Sequence, residues 1–210
     1  MTRLFDYWRS SAAYRIRIAL NLKGVDYESV PIDLSQGEQK AESYRALNPQ
    51  GFVPMLEIDG HRLTQSLAIV DYLDATRKDP PFVPSDPLHR SHVLAMALTV
   101  ACDIHPLNNL RVLKYLAGPL HEPEPARDAW YRHWIAEGLA PLEALAAQHA
   151  GDYLSGETPG IADIALVPQL YNARRFDCPL DGYPTLLRVD AALAALDPVA
   201  RAHPDRVRPA

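Results

Sequence analysis

The chain has 210 residues, of which 48% are apolar and 22% charged, and its formal net charge is −5. These values are typical of a globular protein with a sizeable core, and the negative charge argues against nucleic acid or an anionic membrane as a partner. No apolar run approaches the roughly 20 residues that span a bilayer, and the strand-like start leaves no room for a signal peptide. Two cysteines without metal-ligand spacing indicate a reducing compartment. We therefore expect a cytoplasmic protein without a metal site.

The first 80 residues alternate strand and helix signals. Gly24 ends the first helix, Pro31 predicts an edge or a strand end, and Asp59-Gly60 is a favoured tight-turn pair. The predicted elements, in chain order, lie at 4–7, 11–23, 27–32, 39–47, a hairpin within 53–63, and 66–75. The pattern β-α-β-α-β-β-α predicts a domain over 1–80 with one small mixed sheet.

Four prolines within 78–87 indicate a linker, which we place at 81–88. Beyond it, no comparable hairpin pattern occurs, and a second, all-helical domain is expected over 89–210. The predicted helical windows are 89–116, 125–147, 162–173 and 186–195. Cys102 is expected to be buried within the first of these windows, and residues 203–209 to be poorly packed.

The turn that holds Ser10 and Ser11 is the first candidate for chemistry. A helix N-terminus offers free amide donors and a partial positive charge, and a thiolate held there has a lowered pKa. The turn contains no cysteine, so the thiol would arrive on a ligand. An equally weighted alternative is that these serines only cap the helix.

Two further candidates follow in the same domain. Pro54 opens a strand after a turn, which suits a cis peptide that exposes the main chain of Val53 to a ligand. Gln65 and Ser66 stand at a helix start, where a hydroxyl and amides bind a carboxylate or simply cap the helix.

The helical half offers a polar cluster and several arginines. Pro106 predicts a kink that would present His105, Asn109 and Arg111 on neighbouring turns, although a lone His-Pro pair in a helix more often has a structural role. Arg9 and the pair Arg174-Arg175 are candidates for anionic substrate groups, because guanidinium pairs well with carboxylate.

The order of these signals resembles the zeta-class glutathione transferases, the maleylacetoacetate isomerase family. The opening run is SSAAYRIRIALNLKG at 10–24, and the resemblance extends over nearly the whole chain. The other matching runs are LNPQGFVP at 47–54, QSLAI at 65–69, PLNNLRVL at 106–113, ADIALVPQ at 162–169 and NARRF at 172–176. The resemblance implies a thioredoxin-like domain that binds glutathione, an all-α domain that shapes the substrate pocket, and a homodimer.

Roles are carried over from the family by position. Ser10, assisted by Ser11, would activate the glutathione thiolate, and Arg175 would face the acid groups of a small dicarboxylic substrate. Arg9 and Arg111 would also hold substrate carboxylates. The residues implied for glutathione binding are Ser10, Ser11, Ala12, Gln39, Val53, Pro54, Gln65, Ser66, His105, Asn109 and Arg111.

Three positions depart from the family pattern. Ala12 replaces the usual cysteine of the turn, which makes transferase side reactions less certain than isomerisation. His105 stands where many relatives have glutamine, and residues 102–106 resemble the glutathione-dependent maleylpyruvate isomerases instead. Gly160 replaces a serine or threonine at a helix start, where Asp163 can still favour the N-terminus.

The implied reaction is isomerisation of maleylacetoacetate to fumarylacetoacetate, as in tyrosine and phenylalanine catabolism. The thiolate would add reversibly to the double bond, so that the remaining single bond can rotate. The alternatives are maleylpyruvate isomerisation, transfer or dehalogenation of small α-halo acids, and a non-catalytic glutathione-binding or stress protein.

Overall fold

The computed structural model describes residues 1–209. The chain folds into two compact units, 1–82 together with 194 onward, and 83–193. The sequence placed 194–210 in the helical domain, whereas this segment belongs to the first unit; residue 210 lies outside the described range. The predicted linker is packed at its start, where Phe82 is fully buried, and its last two residues already belong to a helix.

The first unit contains the predicted order of strands and helices. The strands are β1 (Arg3–Asp6), β2 (Glu28–Pro31), β3 (Met55–Ile58) and β4 (His61–Thr64). The helices are α1 (Ser11–Leu22), α2 (Glu42–Arg45) and α3 (Ser66–Thr76), with a 3₁₀ turn at Glu38–Lys40. The thioredoxin-like pattern β-α-β-α-β-β-α is therefore confirmed.

The sheet has the strand order β2-β1-β3-β4. β1 pairs in parallel with β2 and antiparallel with β3, and β3 and β4 form the predicted hairpin. Asp59 and Gly60 both have positive φ, as the tight turn requires. A core cluster of Phe5, Tyr44 and Met55 reaches Val53, the residue before the cis proline.

The second unit is built from helices, apart from one isolated bridge between Tyr153 and Gly156. Its helices are α4 (Pro87–Leu98), α5 (Leu110–Ala117), α6 (Glu124–His149), α7 (Ile161–Arg175) and α8 (Pro184–Ala194), with a π-helical turn at Thr99–Ile104. The prediction of one helix over 89–116 is wrong, because the π turn and the loop 105–109 interrupt it.

Two residues explain the register of the π turn. Ile104 is fully buried and lies against Gly138 of α6, where a Cβ atom would overlap its side chain. With Ile104 facing inward, Cys102 points to solvent, so the expectation of a buried cysteine is wrong.

The C-terminal segment adds α9 (Asp197–Arg201) and α10 (Pro204–Val207) to the first unit. Ala202 is fully buried, and the His203 ring meets the Tyr14 ring edge-on at 6.1 Å between centroids. The expectation that 203–209 is poorly packed is wrong for its start, where Pro204 is buried and His203 packs on Tyr14 of α1, while most of the following residues are exposed.

Candidate active site

Ser10 is the N-cap residue of α1. Its Oγ accepts a hydrogen bond from the Ala13 amide at 3.3 Å, and its own amide donates to the Tyr7 carbonyl at 2.8 Å. Capping is therefore confirmed, but it uses the hydroxyl only as an acceptor and leaves its proton to donate. Within residues 1–209 the Ala12 amide has no hydrogen-bond partner. The turn thus presents donors and a helix N-terminus to an anion.

The neighbours of Ser10 differ in exposure. Ser11, the first residue of α1, is 8% exposed, whereas Arg9 lies at the surface. The guanidinium carbon of Arg9 lies 5.3 Å from the Trp8 ring centroid, and that of Arg208 lies 5.0 Å from it. Arg9 therefore places a cation directly beside the turn.

The peptide between Val53 and Pro54 is cis, as predicted. The carbonyl just before it, that of Phe52, accepts hydrogen bonds from the Tyr44 hydroxyl at 2.6 Å and the Asn48 amide at 2.8 Å. Burial raises the pKa of Tyr44 to about 12, so its hydroxyl stays a donor at neutral pH. The Val53 amide and carbonyl form no hydrogen bond within residues 1–209, which leaves them available to an extended ligand.

Gln39 lies next to this loop. Gly51 has φ of +63°, and a Cβ atom there would lie 2.8 Å from the Gln39 carbonyl oxygen. The Gln39 side chain is 8% exposed, and its Oε1 has no hydrogen-bond partner in the described chain. A buried amide oxygen without a donor is costly, so Gln39 suits a ligand that donates to it.

The start of α3 is the second open helix end. No side chain caps this helix, and the amides of Leu67 and Ala68 have no partner within residues 1–209. Gln65 has φ of 67° and donates through Nε2 to Gln50 at 3.0 Å. Ser66 Oγ accepts from Arg15 at 3.2 Å, and Arg15 is 2% exposed. This helix end suits a carboxylate.

His105, Asn109 and Arg111 lie in the second unit, where the π turn gives way to α5. The His105 amide donates to Val100 at 2.9 Å and completes the π turn. Asn109 caps α5 by accepting from the Arg111 amide at 3.1 Å, and the Arg111 side chain is exposed.

Arg174 and Arg175 have different surroundings at the end of α7. Arg174 forms an ion pair with Asp190 at 2.7 Å, which gives it a structural partner. Arg175 donates to Asn172 at 3.1 Å, and its guanidinium carbon lies 5.2 Å from the Phe176 ring centroid. Arg175 is therefore the better candidate for a substrate group.

Two buried arginines received no role from the sequence. Arg15 contacts Ser66, and Arg17 forms an ion pair with Asp6 at 2.7 Å. The signal that could have identified them is the placement of two arginines within the otherwise largely apolar run 12–20 of α1. Solvated arginines are far commoner than buried ones.

Two negative findings concern residues 1–209. No group of three or more histidine, cysteine, aspartate or glutamate side chains in that range could hold a metal ion. No helix in the described chain combines the length and apolar character that a bilayer crossing requires.

Two family models match the chain. The N-terminal domain of glutathione S-transferase matches residues 1–75, and the C-terminal domain of glutathione S-transferase matches residues 124–205. Maleylacetoacetate isomerase of Rhizobium meliloti (strain 1021) is 48% identical over 209 residues, covering 99% of this chain and 98% of the relative.

Among the solved structures that resemble the chain over almost its full length are two isomerases. One is the holo structure of a maleylpyruvate isomerase, described as a bacterial zeta-class glutathione S-transferase. Its TM-score is 0.96 at 43% identity, covering 98% of each chain. The other is maleylacetoacetate isomerase of Methylobacterium extorquens AM1 with bound malonate and glutathione. Its TM-score is 0.94 at 41% identity, covering 99% of this chain and 100% of that one.

Proposed function

This chain belongs to the glutathione S-transferase family, and we propose that it is a glutathione-dependent isomerase that converts maleylacetoacetate to fumarylacetoacetate. The observation that carries the proposal is the open start of α1, where the Ser10 hydroxyl and the Ala12 amide are available to an anion. The turn has no thiol of its own, so the nucleophile must come from glutathione.

The first unit contains complementary groups for each part of glutathione. Ser10, Ser11 and Ala12 would surround the thiol, and the Val53 main chain, next to Pro54, would pair with the peptide. Gln39 fits a peptide donor, because its buried Oε1 has no partner within residues 1–209. Gln65, Ser66 and the open amides of α3 suit the γ-glutamyl carboxylate, with the Arg15 charge behind them. The family also implies contacts from His105, Asn109 and Arg111.

When bound, glutathione supplies a thiolate that adds reversibly to the cis double bond and so permits rotation. The chain stabilises that thiolate with the Ser10 hydroxyl and the N-terminus of α1. A decrease in thiol pKa from about 8.5 to about 6.5 corresponds to roughly 2.7 kcal/mol. A hydroxyl donor and a helix N-terminus together supply energies of that order.

The substrate is a small dicarboxylic acid, and arginines are suited to hold it. We assign Arg9, Arg111 and Arg175 to its carboxylates, because a guanidinium binds a carboxylate through two parallel hydrogen bonds. Arg175 belongs with Ser10 and Ser11 among the catalytic groups, since it would hold the acid group nearest the reacting double bond. Malonate bound to the M. extorquens relative supports a dicarboxylate site in this family.

The decisive experiment compares Ser10→Ala with the wild-type enzyme. Loss of the hydroxyl donor should lower kcat about 10- to 100-fold and weaken glutathione binding much less. Because Ser10 also caps α1, Asp86→Ala is the matched control: Asp86 caps α4 by accepting from the His89 amide at 2.8 Å. Asp86→Ala should lose comparable stability and keep its turnover. Unchanged turnover in Ser10→Ala would refute the mechanism.

Maleylpyruvate isomerisation is the second candidate. A TM-score of 0.96 to a maleylpyruvate isomerase favours it, as does the run 102–106 around His105. Maleylacetoacetate, maleylpyruvate and dichloroacetate should be assayed in parallel, each with and without glutathione. The preferred substrate separates the isomerases from an α-halo acid transferase. Glutathione binding without turnover of any of the three would identify a binding protein.

Assembly and location complete the proposal. The family implies a homodimer, and a chain with two cysteines and net negative charge suits the cytoplasm. We assign 1–80 to glutathione and the helices within 89–193 to the substrate, while the segment from 194 onward belongs to the first unit. Light scattering coupled to size-exclusion chromatography tests the dimer, and a single-chain mass would contradict it.

A further inference from the structure

Arg17 occupies a buried position between the Ser10 turn and the C-terminal segment. Its side chain is 1% exposed and forms hydrogen bonds through all three nitrogens. Nη1 contacts both Asp6 oxygens at 2.9 and 2.7 Å, Nη2 the Trp8 carbonyl at 2.9 Å, and Nε the Ala202 carbonyl at 3.0 Å. One planar group thus joins the end of β1, the turn and the segment after α9.

Such a buried ion pair is not needed for stability alone. Burial raises the pKa of Asp6 even though the nearby Arg17 charge lowers it, so the pair lies in a dry environment. Apolar side chains of similar size often stabilise such positions equally well. What they cannot supply is a set of directed hydrogen bonds at fixed angles.

The directed bond that matters is the one to Trp8. Its carbonyl belongs to the peptide that leads into Arg9, and the Ser10 amide is already bound to the Tyr7 carbonyl at 2.8 Å. With both peptides held, the turn has one orientation. That orientation sets the directions of Arg9 and Ser10.

We propose that Arg17 is a positioning residue, which acts through the Trp8 carbonyl to hold Ser10 and the first amides of α1 in the geometry that meets the glutathione thiol. This inference rests on the proposed function, because glutathione is taken as the ligand of the turn. Because Arg17 also donates to the Ala202 carbonyl, the C-terminal segment helps to fix the position of the Arg17 side chain.

The test uses two charge-conserving substitutions on the same helix and its C-cap. Arg17→Lys keeps a buried cation. One ammonium group cannot replace the planar guanidinium, which donates to three acceptor groups in fixed directions. The matched control is Lys23→Arg. The Lys23 side chain is fully buried and its Nζ contacts Asp74 at 3.1 Å, the Arg77 carbonyl at 2.5 Å and the Pro80 carbonyl at 2.6 Å.

Arg17→Lys should reduce kcat/KM about 10- to 100-fold, the scale expected when a catalytic group is displaced by about 1 Å. The acid limb of its pH–rate profile should move to higher pH, and the ultraviolet absorbance of the bound thiolate should titrate with it. Lys23→Arg should lose stability while keeping the wild-type pH profile. A wild-type profile in folded Arg17→Lys would overturn the proposal.

If Arg17→Lys does not fold, Asp6→Asn tests the positioning role of Arg17 instead. It preserves shape and leaves Arg17 its two carbonyl acceptors, but removes the charge that orients the guanidinium. We expect a smaller shift of the acid limb in the same direction, and no shift would contradict the proposal.

A ligand-free measurement separates this inference from the proposed function. The three tryptophans give three indole N–H signals by NMR, and Trp8→Phe assigns one of them. Arg17→Lys, or Asp6→Asn in its place, should change the chemical shift of the Trp8 signal and not those of the other two tryptophans. Lys23→Arg should change none of the three chemical shifts. If wild-type protein failed to bind glutathione, the proposed function would fall, yet this shift would still test the support of the turn. An unmoved Trp8 signal would refute it.

Discussion

The clearest difference between the two units lies in two helix starts: no side chain caps α3 of the first unit, whereas the side chains of Ser155 and Asp163 bind amides at the start of α7 in the second. In the first unit, α1 and α3 begin with open amides, at Ala12 and at Leu67 and Ala68 within the described chain. In the second unit, α4 is capped by the Asp86 side chain and α5 by that of Asn109. At the start of α7, Asp163 accepts the amides of Leu154, Ser155 and Gly160, and Ser155 Oγ accepts that of Ala162.

On the proposed function, this difference separates helix starts that bind the ligand from helix starts that are structural. Both kinds carry a small polar residue in the sequence, so the residue type alone does not distinguish them. Donors that remain open after folding need a ligand or water. On the proposed function, the first unit would recognise glutathione mainly with its main chain.

Asp163→Ala tests the structural half of this contrast and should have the largest effect on stability. Asp163 is 1% exposed, and its oxygens accept from the amides of Leu154, Ser155 and Gly160 at 2.8 to 3.0 Å. Leaving these amides unpaired should lower the unfolding free energy by about 3 kcal/mol or more. Urea denaturation measures it, and Asp163→Asn, which keeps one acceptor oxygen, should lose less. Equal losses in the two variants would show that a single acceptor oxygen at this position contributes nothing to stability.

Gly138→Ala tests the packing that sets the π turn. Its Cβ would overlap Ile104, and overpacking typically costs about 1–3 kcal/mol. The helical preference for alanine offsets about 1 kcal/mol of this. Ile104→Ala removes the overlapping atoms, so the double variant should be more stable than the sum of the single losses predicts, by about 0.5–3 kcal/mol. If thermal unfolding showed that the stability losses of the two single variants simply add, the proposed contact between Gly138 and Ile104 would be contradicted.

The first unit could be predicted closely because its elements end at residues with local signals. Gly24 ends α1, Pro31 ends the edge strand, and Asp59-Gly60 forms the hairpin turn. The π turn gave no such signal, since its register depends on how Ile104 meets Gly138 on a different helix. A helical pattern in sequence does not report that contact.

The candidate site divides in the same way. Ser10, Val53 and Ser66 could be identified because helix starts and prolines are marked locally. Arg15 and Arg17 could not, because each is defined by a partner that only the folded chain supplies: Ser66 for one, the Trp8 and Ala202 carbonyls for the other. The packing of the C-terminal segment was missed for the same reason.

The smallest predicted effect concerns an exposed set of side-chain hydrogen bonds around Asp59 in the first unit. Asp59 accepts from the Tyr72 hydroxyl at 2.9 Å and from Arg77 at 3.1 Å, and these contacts hold its pKa below the ordinary 3.8. The stability they confer is present above pH 3.8 and is lost as the pH falls through the lowered pKa, because the unfolded chain then binds more protons.

Asp59→Asn suits the positive φ of this turn and removes the titration. Thermal unfolding should show a slightly lower Tm at neutral pH and a flatter acid dependence, with the two proteins converging below the lowered pKa. Tyr72→Phe should reproduce most of the change, since the hydroxyl bond is the largest cause of the shift. Parallel acid slopes for wild type and Asp59→Asn would show that these Asp59 contacts contribute nothing to the pH dependence of stability.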